Sequence, residues 1–278
     1  MSDQAQGLRD LVKQNSVTIP RILAVASGKG GVGKTNLSIN LALTLIKQGQ
    51  NVALLDADLG LANADLVLGV YPQYTLLDIL KGDKQLNDII VSGPLGLKII
   101  AGSSGVYELA NMGQITLNRF IQSTTHLNHN LDFLFIDTSA GLSRNVILLT
   151  MAADEVLVVA TSEPSSIADA YGLIKTILQR DRAKEIIVIG NMVRSPNEGI
   201  LIWQKINTMT ARFLQREVKY AGSVLYDRKV VAAVQKQKAL VLAYPGCSAS
   251  RSIRKVALNL LNRKYLAARS PNEITPMA

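Results

Sequence analysis

A run of residues from Ala26 to Thr35 holds the side chains and glycines with the clearest chemical use in this sequence. It matches the pattern of glycine, any four residues and then Gly-Lys-Thr, which wraps around phosphate groups. In this pattern backbone N–H groups face the phosphates, Lys34 reaches the β- and γ-phosphates, and Thr35 ligates Mg²⁺. The sequence therefore predicts binding of a nucleoside triphosphate with Mg²⁺ through Gly28, Gly30, Gly31, Val32, Gly33, Lys34 and Thr35.

Asp137 and Asn191, which come much later in the chain, extend this predicted site. Asp137 follows the apolar run Phe133–Ile136, and an acidic side chain that ends a buried strand beside a phosphate loop can hold a Mg²⁺-bound water. Asn191 ends another apolar run. Guanine-reading proteins of this loop class generally have an asparagine at this place and an acceptor carboxylate three residues after it. Position 194 is an arginine, which cannot accept a hydrogen bond. Adenine is therefore favoured over guanine, with Asn191 as a base contact.

The elements that must position these residues alternate along the chain. Short apolar runs, typical of strands buried on both faces, are separated by segments with helical periodicity. They are Ile22–Ala26, Asn51–Asp56, Leu97–Ala101, Asp132–Asp137, Glu155–Thr161, Glu185–Asn191 and Tyr220–Leu225. This order predicts an α/β fold, a doubly wound and mostly parallel sheet of about seven to eight strands flanked by helices, with its ligand at the carboxyl ends of the strands.

Composition limits the classes of function. The chain has 278 residues and one cysteine, Cys247, which excludes a disulfide framework or a cysteine-held metal cluster within one subunit. We expect a cytoplasmic protein, because there is no signal-peptide pattern and no apolar run long enough to cross a bilayer. The net charge of +9 is concentrated between Lys205 and Arg269, which suits anionic lipid, nucleic acid or an acidic protein partner.

Residues 250–267 have the pattern of a basic amphipathic helix. Its apolar positions are Ile253, Val256, Ala257, Leu260 and Leu261. Such a helix can lie in a lipid interface or pack against the protein core, and the pattern leaves both readings open. The expected organisation is an N-terminal segment and link at 1–20, an ATPase domain at 21–249, and the basic helix with its tail at 250–278.

Lys29 gives the phosphate loop a second lysine, and in this form the loop resembles that of the MinD/ParA group of ATPases. The resemblance implies that Lys29 reaches across a homodimer to the partner's nucleotide, so that Lys29, Lys34 and Asp58 are catalytic. It implies that Asp58 orients the attacking water and that Asp56 supports the Mg²⁺ shell beside Asp137. The segment after Asp137 resembles the second switch of the group, with a serine in place of its proline. The resemblance to the MinD/ParA group also implies that Asp227 lies in a second loop that contacts the base.

The N-terminus resembles the FlhG family, also called FleN, a MinD-like group that regulates flagellar number and placement. The family motif Asp-Gln-Ala-x-x-Leu-Arg is matched by Asp3, Gln4, Ala5, Leu8 and Arg9. Glu163–Tyr171 and Ala233–Gln237 also resemble the family, so the resemblance covers about residues 1–265. It implies that the first residues activate a GTPase of the FlhF type, and that a flagellar transcription activator is a further candidate partner.

Together these features predict a switch that dimerises on ATP, hydrolyses it slowly and regulates flagellar number and placement. The MinD resemblance implies that the dimer attaches to the inner face of the cell membrane through paired C-terminal helices, with the cell pole as the expected place of attachment. One alternative is a ParA-type DNA partition ATPase that uses the basic segment on phosphates. Another is a MinD-type division-site ATPase.

Overall fold

An eight-stranded sheet forms the centre of the protein. The structure is a computed structural model, and it describes residues 20–58, 64–75, 78–79, 81, 83–102 and 131–265. The strands are β1 (Arg21–Ser27), β2 (Val52–Ala57), β3 (Ile90–Ser92), β4 (Lys98–Ile100), β5 (Phe133–Ala140), β6 (Glu155–Ala160), β7 (Glu185–Val193) and β8 (Lys219–Leu225). All seven strands expected from the apolar runs are confirmed, with ends that differ by a few residues.

The strand order is β3-β4-β2-β5-β1-β6-β7-β8, and every neighbouring pair is parallel except β3 with β4. The doubly wound, mostly parallel fold is therefore confirmed. Strand β3 was not predicted, because three residues are too few to show a pattern of alternation. The carboxyl ends of β1, β2 and β5 lie side by side, so the segments that follow them meet at one edge of the sheet.

Helices cover both faces of this sheet. They are α1 (Lys34–Ile46), α2 (Ala64–Leu68), α3 (Arg144–Ala152), α4 (Pro164–Arg180), α5 (Pro196–Leu214), α6 (Lys229–Gln235), α7 (Leu240–Ala243) and α8 (Ser248–Leu261), with short 3₁₀ turns at Leu86–Asp88 and Pro94–Gly96. Leu23 and Val25 of β1 share a core cluster with α1 and α8, whereas Ala26 shares one with α4 and α5. The side chains of β1 thus alternate between two buried layers, as a central strand requires.

The last described helix, α8, is part of the core. Ile253, Val256, Ala257 and Leu260 are each at most 2% exposed, and they belong to the cluster that contains α1. The prediction that this apolar stripe faces lipid is therefore wrong, and the competing prediction of core packing is confirmed. Because core and lipid offer the same apolar environment to such a stripe, the pattern alone could not separate them. The expected domain boundary after residue 249 therefore lies between two segments whose side chains pack in the same core.

Arg21, the first residue of β1, forms a buried ion pair with β6 and a hydrogen bond to the end of α8. Arg21 donates to the carboxylate of Glu155, to the hydroxyl of Tyr265 and to the carbonyl of Leu260. The Arg21 and Glu155 side chains are about nine-tenths buried, so removing either partner would leave a buried charge unpaired. This contact lies at the amino ends of β1 and β6, opposite the expected nucleotide site.

Other predictions fall on segments that the structure does not describe. The motif from Asp3 to Arg9 and the chain after Tyr265 lie outside the described residues. No helix among the residues that are described is long and apolar enough to cross a membrane.

Burial of α8 predicts that its apolar side chains stabilise the fold. Leu260→Ala should lower the free energy of unfolding by about 2–5 kcal/mol, because it leaves a cavity in the core. Arg254→Ala, on the exposed side of the same helix, should change it by less than about 0.5 kcal/mol. Urea denaturation followed by circular dichroism measures both values. Equal stability of the two variants would contradict the packing described here.

Candidate nucleotide-binding site

The phosphate loop joins β1 to α1 through a tight turn at the carboxyl edge of the sheet. Gly33 is the residue that caps α1, and as a glycine it has no side chain that could accept a hydrogen bond from the first turn of that helix. The first backbone N–H groups of α1 are thus left for another acceptor, and a phosphate at a helix N-terminus is a favourable one. Within the loop, the Ser27 hydroxyl donates to the Lys29 carbonyl over 2.7 Å.

Two glycines of the loop are required by their surroundings. A Cβ atom at Gly28 would lie 2.2 Å from the backbone carbonyl oxygen of Asp169, so the loop could not approach α4 as closely with any other residue. Gly33 has φ 86°, in the left-handed region, and a Cβ there would lie 2.7 Å from Nδ2 of Asn191. The pattern predicted glycines for the ligand, and the structure shows that these two also serve the packing of the loop.

Asn191 holds the loop from the end of β7. Its Nδ2 atom donates to the Val32 carbonyl over 2.7 Å, and the side chain is buried. The predicted contact of Asn191 with the base stays a prediction, but the structure gives the amide a second role as a support of the phosphate loop. That role was missed because the two residues are 159 positions apart in the sequence.

Acidic and hydroxyl side chains gather beside the loop at the ends of β2 and β5. Asp56 and Asp137 are register partners on these neighbouring strands. Asp137 is fully buried, and its Oδ1 atom accepts a hydrogen bond from the Ser38 hydroxyl over 3.0 Å. Its Oδ2 atom is buried and has no protein partner. Asp56 accepts from the backbone N–H of Ala64 over 2.9 Å.

This group fits a magnesium ion. Mg²⁺ prefers carboxylate and hydroxyl oxygens together with water, and the orphaned Oδ2 of Asp137 is an oxygen that a Mg²⁺-bound water would satisfy. The Thr35 hydroxyl acts on the same carboxyl group and lowers its pKa, and Asp56 lies on the adjacent strand at the same level. The three predicted metal residues are thus brought together. Ser38 was missed, although its place four residues after Lys34 puts it on the same side of α1.

The charges of this site influence one another strongly. Burial raises the pKa of Asp137 to about 7, and the nearby charge of Asp56 acts in the same direction, while the hydroxyl donors oppose it. Burial lowers the pKa of Lys34, and the negative charges of Asp137 and Asp58 counteract that effect. The predicted catalytic residues Lys34 and Asp58 are therefore close enough to interact. Without ligand, the site carries a buried carboxyl group whose charged form is disfavoured.

Lys29 is held within its own chain. Its ammonium group forms an ion pair with the carboxylate of Glu163 and donates to the Ser165 hydroxyl over 3.0 Å. Glu163 and Ser165 lie at the start of α4, and the side chains of the pair are 39% and 63% exposed. The sequence singled out this segment without predicting its contact with Lys29. An exposed ion pair of this kind contributes little to stability, so it can be exchanged for another partner.

Asp227 has a structural role at the start of α8. Its carboxylate accepts from the backbone N–H of Lys229 over 3.0 Å and from the Ser248 hydroxyl over 2.7 Å. These hydrogen bonds, that of Lys229 first, lower the pKa of Asp227 to about 2. The carboxylate also lines a cavity of about 100 Å³ beside the phosphate loop, together with Gly33, Asn36, Leu37, Asn191, Met192 and Tyr226. Its predicted contact with the base stays a prediction, since its oxygens already bind protein donors.

The chain is similar over most of its length to proteins of one family. A family model described as "ParA: NUBPL iron-transfer P-loop NTPase" matches residues 18–261. The antiactivator FleN of Pseudomonas aeruginosa is 44% identical over 238 residues, 85% of this chain and 85% of that protein. The flagellum site-determining protein YlxH of Helicobacter pylori is 35% identical, over 87% of this chain and 82% of that protein.

Solved structures agree with this similarity. The MinC:MinD cell division protein complex of Aquifex aeolicus contains a chain with a TM-score of 0.72 and 26% identity, over 90% of this chain and 99% of that one. MinD of Pyrococcus horikoshii, complexed with Mg-ADP, has a TM-score of 0.72 at 24% identity, over 87% and 96% of the two chains, and shows the fold alone.

The raised pKa of Asp137 predicts a pH-dependent stability of the metal-free protein. An acid whose pKa rises on folding, here from 3.8 to about 7, destabilises the fold increasingly as pH rises from about 4 to 7, and fully above 7. The stability of Asp137→Asn relative to the natural protein should therefore rise across that range, by on the order of 4 kcal/mol. Urea midpoints measured with a chelator present give this difference.

The matched control for this measurement is Asp83→Asn, which changes an exposed carboxyl group. It should show no such rise between pH 4 and 7. A stability difference for Asp137→Asn that does not change with pH would contradict the electrostatic account of the site.

Proposed function

Because this chain belongs to the ParA family of P-loop ATPases, we propose that it is an ATP-driven, dimerising switch that controls flagellar number and placement. Family membership rests on the match of residues 18–261 and on relatives of 44% and 35% identity. The observation that carries the switch is the contact that Lys29 makes within its own chain, with Glu163 and Ser165. Its ion pair with Glu163 is exposed and exchangeable.

The nucleotide site supports hydrolysis by positioning and charge. In this proposal the uncapped start of α1 and Lys34 hold the phosphates, while Thr35, Asp56 and Asp137 hold Mg²⁺. When bound, Mg²⁺ neutralises charge that develops on the phosphate oxygens. Asp58, at the end of β2, orients the attacking water. The interaction of Asp58 with Lys34 supports this assignment, because it brings the carboxylate towards the lysine that reaches the γ-phosphate.

Dimerisation would use the exchange of partners at Lys29. In a single chain the lysine binds Glu163 and Ser165. In the proposed dimer it leaves these residues and binds the phosphates of the partner subunit's nucleotide, which carry more negative charge than one carboxylate. ATP thus stabilises the dimer through differential binding, and hydrolysis removes that stabilisation.

The flagellar role is supported by the names of two similar proteins. One is an antiactivator, FleN, and another is a flagellum site-determining protein, YlxH. We propose that this chain likewise acts on flagellar assembly, with residues 1–13 stimulating a GTPase of the FlhF type and with a flagellar transcription activator as a further partner. Attachment to membrane by the apolar stripe of α8 is not part of this proposal, because that stripe is buried in the core.

A second candidate function is favoured by the exposed side of α8. With the apolar side buried, Arg251, Arg254 and Lys255 remain exposed on the other side of the helix. Exposed cations are sufficient for contacts with a DNA backbone, whereas insertion into lipid also requires an exposed apolar surface. A ParA-type partition ATPase therefore remains the alternative, and ATP-dependent binding of random-sequence duplex DNA by the dimer would support it.

The switch predicts opposite effects of two substitutions. Asp58→Ala should bind ATP but stall as a dimer, because hydrolysis no longer releases it, whereas Lys29→Ala should stay monomeric. Glu163→Gln should raise the dimer fraction at subsaturating ATP by up to about fivefold, since Lys29 no longer has a charged partner in its own chain. Light scattering with Mg²⁺ and ATP measures these states, and Glu217→Gln, at an exposed site, is the control. A monomeric Asp58→Ala protein at saturating ATP would rule out the switch.

The N-terminal segment predicts a separable activity. Deletion of residues 1–13, or Gln4→Ala, should abolish stimulation of an FlhF-type GTPase, measured as phosphate release from GTP. ATP turnover by the chain itself should stay near its original rate, because β1 begins at the edge of the sheet opposite the nucleotide. Gln6→Ala is the matched control and should stimulate normally. Full stimulation by the truncated chain would remove the FlhF-type partner from the proposal.

A further inference from the structure

Two asparagines lie one turn apart on α1, between the phosphate loop and α7. Asn36 is the third residue of α1, and it lines the cavity of about 100 Å³ beside the loop. Asn40 is fully buried. Its Nδ2 atom donates to the backbone carbonyl of Asn36 over 2.7 Å and to Oδ1 of Asn36 over 2.9 Å. The two side chains therefore form a hydrogen-bonded pair that reaches from the core to the cavity.

The backbone of α7 fixes which way both amides point. The N–H group of Val241, in the first turn of α7, donates to Oδ1 of Asn40 over 2.9 Å. A backbone N–H can only donate, so the oxygen of Asn40 faces Val241 and its nitrogen faces Asn36. That nitrogen can also only donate, so the oxygen of Asn36 faces Asn40. The NH₂ group of Asn36 is therefore the part of its amide that is left for the cavity.

We propose that Asn40 is a positioning residue of the nucleotide site, which turns the NH₂ group of Asn36 towards a bound nucleotide. The inference rests on the proposed function, because it requires a nucleotide at the start of α1. The cavity extends from Gly33 of the phosphate loop to Tyr226 after β8. Since the first turn of α1 faces the phosphates, Asn36 donates to an acceptor on the nucleoside side of the ligand. That acceptor is an α-phosphate oxygen or an atom of the nucleoside.

Capping of α7 is the simpler role for Asn40. The first N–H groups of a helix have no partner within that helix, and Oδ1 of Asn40 satisfies one of them. A side chain that only accepts would serve this purpose equally well. Capping does not explain the second contact, in which Nδ2 of Asn40 binds the side chain of Asn36. An amide joins an acceptor to two donors, and Asn40 uses both ends. This favours a role that includes Asn36.

Asn36→Ala tests the proposed donor directly. The variant keeps the bonds of Asn40 to Val241 and to the backbone carbonyl of residue 36, so its thermal unfolding should match that of the natural protein. Isothermal titration calorimetry with Mg²⁺ should show at least about fivefold weaker binding of ATP. Unchanged affinity would overturn this inference and leave the proposed function standing. Failure of the natural protein to bind ATP would overturn both.

A double-mutant cycle separates positioning from capping. Asn40→Ala should weaken ATP binding about threefold or more in the natural chain, but hardly at all in the Asn36→Ala chain, where no donor is left to position. A role confined to the cap of α7 would weaken binding by the same factor in both chains, and that result would overturn the positioning role. Asn40→Ser, which keeps a polar group in the core, completes the same cycle as a second variant.

Thr44→Ala is the matched control for the loss of a buried hydrogen bond. Thr44 is buried one turn further along α1, and its hydroxyl donates to the Asn40 carbonyl over 2.7 Å. The substitution should lower the stability of the fold but leave the affinity for ATP within about twofold, because Asn36 keeps its orientation. A loss of affinity as large as that of Asn40→Ala would contradict the role of the asparagine pair.

Tripolyphosphate identifies the acceptor on the nucleotide, because it has three phosphates and no nucleoside. Its affinity is measured by competition against ATP, with Mg²⁺ present. Equal weakening of tripolyphosphate and ATP by Asn36→Ala would show that Asn36 binds the phosphate next to the nucleoside. Weakening of ATP alone would show that it binds the nucleoside itself. Tighter binding of ATP by Asn36→Ala would overturn the inference.

Discussion

The start of α1 has no side-chain cap, so its first backbone N–H groups are available to an anion. A helix N-terminus of this kind stabilises an anion only if the preceding turn is held in place. The structure holds it from three sides. Asn191 binds the Val32 carbonyl, the backbone of α4 touches Gly28, and Asp137 accepts a hydrogen bond from Ser38 of α1. Each contact comes from a different parallel strand or the helix that follows it.

The same region keeps charges in an unfavourable environment until a ligand enters. Asp137 is buried with one oxygen lacking a partner, and Lys34 is partly desolvated. A nucleotide with Mg²⁺ would add further opposite charge beside both residues, so its binding would relieve a cost that folding has imposed. Lys29 differs from them, because its exposed pairing with Glu163 costs little to form or to break. In the proposed switch, the firmly held groups would therefore bind the phosphates, and the loosely held Lys29 would be the group that changes its partner.

Helix α8 has one apolar, buried side and one basic, exposed side. Its apolar side packs with α1, the helix that begins at the phosphate loop, and its opposite side carries the exposed cations Arg251, Arg254 and Lys255. Asp227 fixes the start of this helix through Ser248, and Arg21 fixes its end through the Leu260 carbonyl. Helix α8 is therefore held at both ends and buried along one side.

The sequence by itself determined the parts that depend on short-range order. The spacing from Gly28 to Thr35 specified the phosphate loop, and seven apolar runs specified seven strands, since both patterns are complete within a few residues. Because parallel strands end at a common edge, Asp56 and Asp137 could also be assigned to one site. Tertiary structure decided what depends on distant residues. The partner of Lys29 lies 134 positions away and that of Asn191 lies 159 away, and no local pattern encodes such pairs. Whether the stripe from Ile253 to Leu260 met lipid or core was likewise decided by α1 and β8, because an apolar side chain gains the same free energy from either environment.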